Sequence, residues 1–286
     1  MKHPNDLIEI LDQLGYVVDE ELATVLYLML KLEKPLLLEG NPGVGKTESA
    51  YVLASYLQTD LIRLQCYEGL DVHSAVYEWN YQKQLLAIKI QEQSDLSASE
   101  KETMIFSDDY LLKRPLLKAI SAEKPVVLLI DEIDRADEEF EAFLLELLSA
   151  YQISIPEMGT IKAKSKPYVI LTSNRTRELS DALKRRCLYH WVPYPSMEKE
   201  LRIIQKHLPN VEDTLALQMV KIIEKLRKMK LDKSPGIAET IDWARGVLAL
   251  DIKDLNEENI SQTLSCLLKS NSDFAKVEKE LVSIVN

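Results

Sequence analysis

Residues 40–47 read Gly-Asn-Pro-Gly-Val-Gly-Lys-Thr, which fits the phosphate-binding pattern G-x-x-x-x-G-K-[ST]. Glycines in this pattern let backbone N–H groups close on phosphate oxygens, where a Cβ atom would obstruct them. Lys46 supplies a positive charge for the β- and γ-phosphates, and the Thr47 hydroxyl is suited to ligate Mg²⁺. The residues that we expect to contact the nucleotide are Asn41, Pro42, Gly43, Val44, Gly45, Lys46, Thr47 and Glu48.

The flanking sequence predicts the strand, loop and helix that this pattern requires. Leu36-Leu37-Leu38 is a short apolar run typical of a buried parallel strand, and residues 49–57 have a helical pattern. The alternative is a glycine-rich turn without a ligand, which these flanks disfavour. The helix begins at the loop, so its positive N-terminal end also faces the anion.

A second strand candidate, residues 126–130, is a continuous apolar run that leads into Asp131-Glu132-Ile133-Asp134. A buried strand that ends in acids delivers them to the carboxyl edge of the sheet, beside the phosphate loop. We expect Asp131 to hold Mg²⁺ through water and Glu132 to act as general base on the attacking water. Adjacent Asp and Glu favour ATP hydrolysis over phosphate transfer to a metabolite. The alternative is that acids here cap the next helix, which suits Asp134 or Asp137 better.

Two further polar segments follow strand or helix candidates. Asn174 comes after the apolar run 169–171 and could donate a hydrogen bond to the γ-phosphate or the water; a turn-forming Asn is the alternative. Residues 181–186 close a helix with Lys184, Arg185 and Arg186, and such a run taken alone is usually a solvated helix end.

The order of elements predicts an α/β fold. Strand candidates at 36–39, 61–65, 126–130, 168–172 and 187–192 alternate with helices, which indicates a five-stranded parallel sheet with helices on both faces. Beyond Pro193 and Pro195 only helical patterns occur, near 197–208, 212–230, 236–250, 256–269 and 272–284. We therefore predict a nucleotide-binding core over 1–193 and a small helical lid domain over 194–286.

Two segments of the core have the character of insertions. Residues 153–163 predict a hairpin around Pro156-Glu157-Met158-Gly159-Thr160. Residues 71–81 carry Tyr77, Trp79 and Tyr81 at alternate positions and suggest a second short hairpin. The polar stretch 91–102 predicts an exposed connection.

Composition restricts the functional classes. The 286 residues include 35 basic and 46 acidic side chains, a formal net charge of −11, which argues against a nucleic-acid phosphate track. No apolar run has the length of a membrane span, and the first residues lack the apolar core of a signal peptide. Three widely spaced cysteines fit a reduced, cytoplasmic compartment.

Four segments together resemble the AAA+ ATPases: Gly40–Thr47, Val126–Glu132, Leu171–Asn174 and Ala182–Arg186. The resemblance covers about the whole chain. It implies that Lys46, Thr47, Asp131 and Glu132 occupy the Walker A and Walker B positions and that Asn174 occupies the sensor 1 position. It also implies that Arg185 or Arg186 is an arginine finger for the next subunit of a ring, usually a homohexamer.

A narrower similarity connects the chain to MoxR-type ATPases, near the group that accompanies carbon monoxide dehydrogenase maturation. It rests on residues 63–71, Tyr77–Trp79, Arg114–Leu117 and Ala238–Arg245. It implies ATP-driven remodelling of a client protein, with metal-cofactor insertion as one such task and a von Willebrand A domain protein as the expected partner.

One position departs from the AAA+ pattern. Many relatives place a sensor 2 arginine at the start of the lid helix, whereas here Ser234-Pro235 is followed by Gly236. Arg245 lies on the same predicted helix, more than two turns further on, where a surface residue is the alternative. Two other functions stay open: a nucleic-acid loader or translocase, disfavoured by the acidic charge, and a small-molecule kinase, disfavoured by Asn174 and the helical C-terminal part.

Overall fold

The fold is described from a computed structural model, which covers residues 3–91, 97–156 and 158–285. Five parallel strands form the main sheet, in the order β2-β5-β8-β1-β9. They are β1 (Leu36–Gly40), β2 (Leu61–Gln65), β5 (Val127–Asp131), β8 (Tyr168–Ser173) and β9 (Leu188–Val192). Every residue of β1 and of β5 is buried, as expected for parallel strands covered on both faces. The α/β class and all five predicted strands are confirmed.

The sheet register brings polar residues to one edge. Leu38 aligns with Thr172 across β1 and β8, and Ile130 aligns with Leu171 across β5 and β8. Because parallel strands end at the same edge, the last residues of these strands lie there together. The phosphate-loop pattern begins at the end of β1 and therefore leaves the sheet at this edge.

Two antiparallel pairs lie outside the main sheet. β6 (Gln152–Ile155) pairs with β7 (Gly159–Lys162), which confirms the hairpin predicted over 153–163. The hairpin suggested at 71–81 is wrong, because β3 (Tyr77–Trp79) pairs with the distant β4 (Leu111–Lys113). Tyr81 instead begins a helix, since the Asn80 side chain accepts a hydrogen bond from Lys83 N at 3.0 Å.

The exposed connection predicted at 91–102 is only partly described. Residues 92–96 lie outside the described residues, and residues 98–105 form a helix where none was expected. Ser97 starts that helix by accepting from Glu100 N, while the Glu100 carboxylate accepts from Ser97 N.

The helices are given by their bounds in chain order. They are α1 (Pro4–Gln13), α2 (Glu20–Leu32), α3 (Lys46–Leu57), α4 (Val72–Val76), α5 (Tyr81–Gln91), α6 (Ala98–Ile105), α7 (Pro115–Ile120), α8 (Glu138–Ala150), α9 (Asp181–Arg186), α10 (Met197–His207), α11 (Asp213–Lys228), α12 (Ile237–Ala249), α13 (Glu257–Leu267) and α14 (Asn271–Val285). Single 3₁₀ turns occur at Asp108–Tyr110 and Ile133–Arg135. In the part of the chain that the structure describes, no helix is both long and apolar enough to cross a membrane.

The chain divides into two compact units, each with its own apolar core. One unit consists of residues 1–23, 40–52 and 191–286, and its core forms around the fully buried Trp243 of α12. The other consists of residues 24–39 and 53–190, and its core packs strands of the main sheet against α7 and α8. All five helical patterns predicted after Pro195 are confirmed as α10–α14. The predicted domain boundary between 193 and 194 stays a prediction.

Candidate functional site

The phosphate loop folds back on itself around Lys46. The Lys46 ammonium group donates to the carbonyl oxygens of Gly40 at 2.8 Å and Asn41 at 2.7 Å, and the residue is buried. Gly43 and Gly45 have φ angles of +75° and +91°, a left-handed backbone that favours glycine. The lysine charge is therefore held inside the loop by backbone groups that the glycines allow to turn inward.

Tyr16 also contacts this loop, through a hydrogen bond from its hydroxyl to the Gly45 carbonyl oxygen at 3.3 Å. Burial raises the pKa of the Tyr16 hydroxyl above its ordinary value, and the carboxylates of Asp19 and Glu48 raise it further. The hydroxyl therefore stays protonated and acts as a donor.

The first turn of α12 packs against the loop, backbone to backbone. Ile237 N donates to the Gly43 carbonyl oxygen at 2.8 Å. A Cβ atom on Gly236 would lie 2.8 Å from Gly43 Cα and 2.9 Å from Gly43 O, closer than atoms can pack. Gly236 is therefore required for this contact, which accounts for glycine at the position where the AAA+ pattern predicts an arginine.

A buried ion pair holds the start of α12 in place. Arg227 of α11 donates to both carboxylate oxygens of Glu200 of α10, at 2.6 and 2.7 Å. Glu200 also accepts from the Thr240 hydroxyl at 2.9 Å, and Arg227 Nε donates to the Pro235 carbonyl oxygen at 2.9 Å. These contacts join α10, α11 and α12 next to Gly236. Sequence reasoning missed this network, because Arg227 and Glu200 are indistinguishable from surface charges without the fold.

A cavity of about 720 Å³ lies in the same unit, which is within the usual size range for small-molecule sites. Residues 17–21 line it from one side, starting next to Tyr16, and residues from Pro193 to Arg202 line it from the other. Apolar and charged side chains line it together. Among the charged ones, Lys199 Nζ pairs with Asp19 Oδ2 at 2.6 Å.

In the other unit, the end of β5 carries Asp131, which is 3% exposed. Its Oδ1 accepts from the Thr172 hydroxyl at 2.5 Å. Its Oδ2 accepts from Arg63 on β2, from Nη2 at 2.6 Å and from Nε at 3.1 Å. Both carboxylate oxygens are therefore oriented by donors from the two neighbouring strands.

Glu132 follows with a left-handed backbone, φ +54° and ψ +50°. Such a conformation costs a non-glycine residue on the order of 1–3 kcal/mol and is typical of functional sites. Glu132 N donates to the Thr172 hydroxyl oxygen at 2.9 Å, so one threonine touches both predicted catalytic acids. The Glu132 carboxylate pairs with Arg135 Nε at 2.9 Å and is 34% exposed.

Asp134 connects this edge to the segment after β8. It is 2% exposed and accepts from Asn174 N at 3.1 Å, from Thr176 N at 2.9 Å and from the Thr176 hydroxyl at 2.7 Å. Asn174 is thereby fixed through its backbone close to the acids. Asp134 does not cap the next helix; Asp137 does, accepting from Phe140 N at 2.8 Å.

Cys66 lies beneath the same edge, where its N–H donates to the Asp131 carbonyl oxygen at 2.8 Å. Burial raises the pKa of its thiol to about 12, and the charges of Asp131, Asp134 and Glu132 contribute in the same direction. The thiol is therefore protonated at neutral pH and suited to packing rather than nucleophilic chemistry.

The two candidate finger residues at the end of α9 differ in their environment. Arg186 donates to the Ser149 hydroxyl at 2.5 Å and to the Ala182 carbonyl oxygen at 2.9 Å. Arg185 is exposed. Arg245 is also exposed and pairs with Asp242 of its own helix at 3.4 Å, as expected for a surface residue.

The protein oxygens of Asp131 and Thr47 fit a magnesium ion that takes most of its ligands from phosphates and water. Within the described ranges, no group of three or more His, Cys, Asp or Glu side chains could hold a metal without other ligands. Mg²⁺ in nucleotide sites needs only one or two protein oxygens beyond the phosphates. The Asp131 carboxylate and the Thr47 hydroxyl are oxygens of the required type.

The family model for the AAA domain, dynein-related subfamily, matches residues 35–187. This chain belongs to that AAA family. Its relatives include an uncharacterized protein of Staphylococcus haemolyticus, 28% identical over 243 residues and covering 83% of each chain. An uncharacterized protein of Staphylococcus aureus is 28% identical over 228 residues, 78% of each chain.

Among solved structures, the AAA chain is similar to Thermotoga maritima RuvB. A proline-to-glycine mutant aligns with a TM-score of 0.56 and 20% identity, over 96% of this chain and 79% of RuvB. A lysine-to-arginine mutant aligns with a TM-score of 0.52 and 19% identity, over 93% and 77%. At this identity the similarity shows the fold alone.

Proposed function

We propose that this AAA protein binds ATP with Mg²⁺ through Asn41–Glu48 and hydrolyses it with the acids that follow β5. The observation that carries the proposal is the Asp131–Thr172–Glu132 arrangement. It stands at the end of β5, and only β8 separates β5 from β1, the strand that continues into the phosphate loop.

Each residue then has a distinct task. Lys46 holds the β- and γ-phosphates, Glu132 accepts a proton from the attacking water, and Asn174 orients that water or the γ-phosphate. Thr47 and Asp131 would hold Mg²⁺, which when bound would neutralise phosphate charge. The cavity beside Tyr16 offers a place for the nucleoside.

The substitution Glu132→Gln tests this assignment. We expect ATP affinity close to that of the wild type and hydrolysis reduced about 10²–10⁴-fold, because the amide cannot accept the proton. Phosphate release and binding of a fluorescent ATP analogue measure the two effects. Glu138→Gln, an exposed acid in the first turn of α8, is the matched control and keeps full turnover. Full turnover by Glu132→Gln would assign the base elsewhere.

We further propose a ring-shaped homo-oligomer, with a hexamer as the expected size, in which Arg185 is the finger supplied to the neighbouring subunit. Both arginines are exposed, but Arg186 is held by Ser149 and Ala182, which favours Arg185 for a contact with a neighbouring subunit. Arg185→Ala is expected to bind ATP and to lose about 10³-fold or more in hydrolysis. Mixing it with Glu132→Gln subunits restores turnover if the finger acts in trans; unchanged inactivity across all mixing ratios rejects that role.

The narrower proposal is a cytoplasmic MoxR-type remodelling ATPase whose lid, residues 194–286, moves as ATP is hydrolysed. It is supported by the sequence of residues 63–71 and 238–245, which resembles that of MoxR-type ATPases. Its partner would be a client with a von Willebrand A domain. Pull-down of such a protein by the ATP-bound Glu132→Gln variant tests this; its absence under those conditions weighs against the MoxR assignment. A nucleic-acid motor is disfavoured by the net charge of −11.

A further inference from the structure

Arg63 stands at the carboxylate that the proposed function assigns to the metal. Its guanidinium group makes two hydrogen bonds to one oxygen, Asp131 Oδ2, at 2.6 and 3.1 Å. The Asp131 side chain is 4% exposed, whereas the Arg63 side chain is 43% exposed. One member of the pair is therefore buried and fixed, and the other reaches it from the surface.

A buried carboxylate requires a compensating cation, because an unpaired charge in the protein interior is strongly destabilising. Thr172 donates to Oδ1 through a neutral hydroxyl, whereas Arg63 brings a positive charge to Oδ2. A hydrated Mg²⁺ that approaches Asp131 meets this guanidinium group, and two cations on one carboxylate repel each other.

Arg63 also has a neutral acceptor beside Asp131, at the same edge of the sheet. Its Nη2 donates to the side-chain oxygen of Gln65, two residues further along β2. The Arg63 side chain is already partly in water. A guanidinium group that leaves Asp131 therefore keeps Gln65 as a hydrogen-bond partner and stays solvated. The exposed Arg63 can therefore be replaced by another cation at Asp131, while Asp131 itself stays in place.

We propose that Arg63 is a built-in counter-ion of Asp131 that is exchanged for Mg²⁺ when the metal–nucleotide complex binds. Arg63 then acts through Asp131 as a positioning residue: it keeps the carboxylate oriented in the empty protein and sets the Mg²⁺ concentration at which nucleotide binding tightens. This inference rests on the proposed function, since it takes Asp131 as the metal-side acid.

The test is a Mg²⁺ titration of the affinity for a fluorescent ADP analogue. For Arg63→Gln we expect the midpoint to fall roughly five- to tenfold, the value of a charge-assisted hydrogen bond discounted for exposure. Thermal unfolding without nucleotide or metal is expected at a lower temperature than in the wild type, with the difference reduced by Mg²⁺ and ADP. Arg63→Lys, which keeps the charge but not the two-pronged contact, shifts the midpoint less, in the same direction.

The matched control is Arg114→Gln. It removes the same charge from an exposed pair with Glu78, whose two side chains are 46% and 48% exposed, and it leaves the midpoint unchanged. An unchanged or higher midpoint in Arg63→Gln overturns the inference, and if that variant does not fold, the direction of the Arg63→Lys shift decides. A wild-type protein that binds no nucleotide, or binds it without regard to Mg²⁺, rejects the proposed function itself. If the wild type binds nucleotide in a Mg²⁺-dependent way and the Arg63→Gln midpoint is unchanged, only the inference about Arg63 is rejected.

Discussion

The phosphate loop and the acidic edge at the end of β5 are stabilised in different ways. Around the loop, Lys46, Tyr16 and Ile237 all donate to backbone carbonyl oxygens of residues 40–45. At the acidic edge, the hydrogen bonds are made by side chains, with Thr172 between the two acids and guanidinium groups beside them. A site made from backbone depends on glycine and tolerates few side chains, whereas a site made from side chains depends on each partner being present.

The largest expected effect removes the cation at the centre of the loop. Lys46→Ala is expected to weaken ATP binding about 100-fold or more, since the charge that meets the phosphates is lost. Isothermal titration with ATP and Mg²⁺ measures it. Lys34→Ala, an exposed lysine just before β1, is the control with unchanged affinity. Unchanged affinity in Lys46→Ala would remove the central function proposed for the loop.

A smaller effect is expected from a substitution at the backbone contact between Gly236 and Gly43. Gly236→Ala places a Cβ atom 2.8 Å from Gly43 Cα, so the loop or α12 must shift. We expect a loss of about 1–3 kcal/mol in the free energy of unfolding, as for other overpacked contacts, together with weaker nucleotide binding. Denaturant unfolding measures the first quantity.

Gly246→Ala is the control on the same helix. Its new Cβ meets only the Cys266 sulfur, at 3.3 Å, away from the loop, and it leaves nucleotide affinity unchanged. Equal nucleotide affinity in both glycine variants would show that the contact between loop and helix has no role in binding.

The smallest effect concerns the bridge at the acidic edge. Thr172→Val keeps the shape but removes the hydroxyl that donates to Asp131 and accepts from Glu132 N. We expect a loss of about 1–2 kcal/mol in unfolding free energy, because two buried polar groups lose their partner. Thr172→Ser keeps the hydroxyl and restores most of the stability. Similar losses in both variants would show that the methyl group contributes as much to stability as the hydroxyl bridge.

The same contrast explains what the sequence could predict. Gly40–Thr47 and the apolar strand before Asp131 are local patterns, so the loop, the strands and the α/β class follow from residues adjacent in the chain. The contacts of Arg63 and Thr172 with Asp131 depend on the strand order β2-β5-β8, which local periodicity does not contain. The same holds for β3 and β4, which pair across two intervening helices rather than as a local hairpin.

Gly236 illustrates the limit of family resemblance as a guide. The AAA+ pattern predicts an arginine near the start of α12, and Arg245 on that helix is a surface residue paired with Asp242. The contact with the loop depends instead on the lack of a side chain at Gly236. A close approach between two glycines leaves no periodic signal, and only the distance between Gly236 and Gly43 reveals it. The roles proposed for Glu132, Asn174 and Arg185 stay predictions.

The contact between Gly43 and the start of α12 also bears on the rate at which nucleotide leaves. The hydrogen bond from Ile237 N to Gly43 O joins two main-chain segments, so it breaks only when the backbone of α12 or of the loop moves. Separation of the helix from the loop is then a discrete opening event that breaks this bond and exposes both glycines together. We expect product dissociation to follow the frequency of that opening, which makes Gly43 and Gly236 determinants of ADP residence time as well as of affinity.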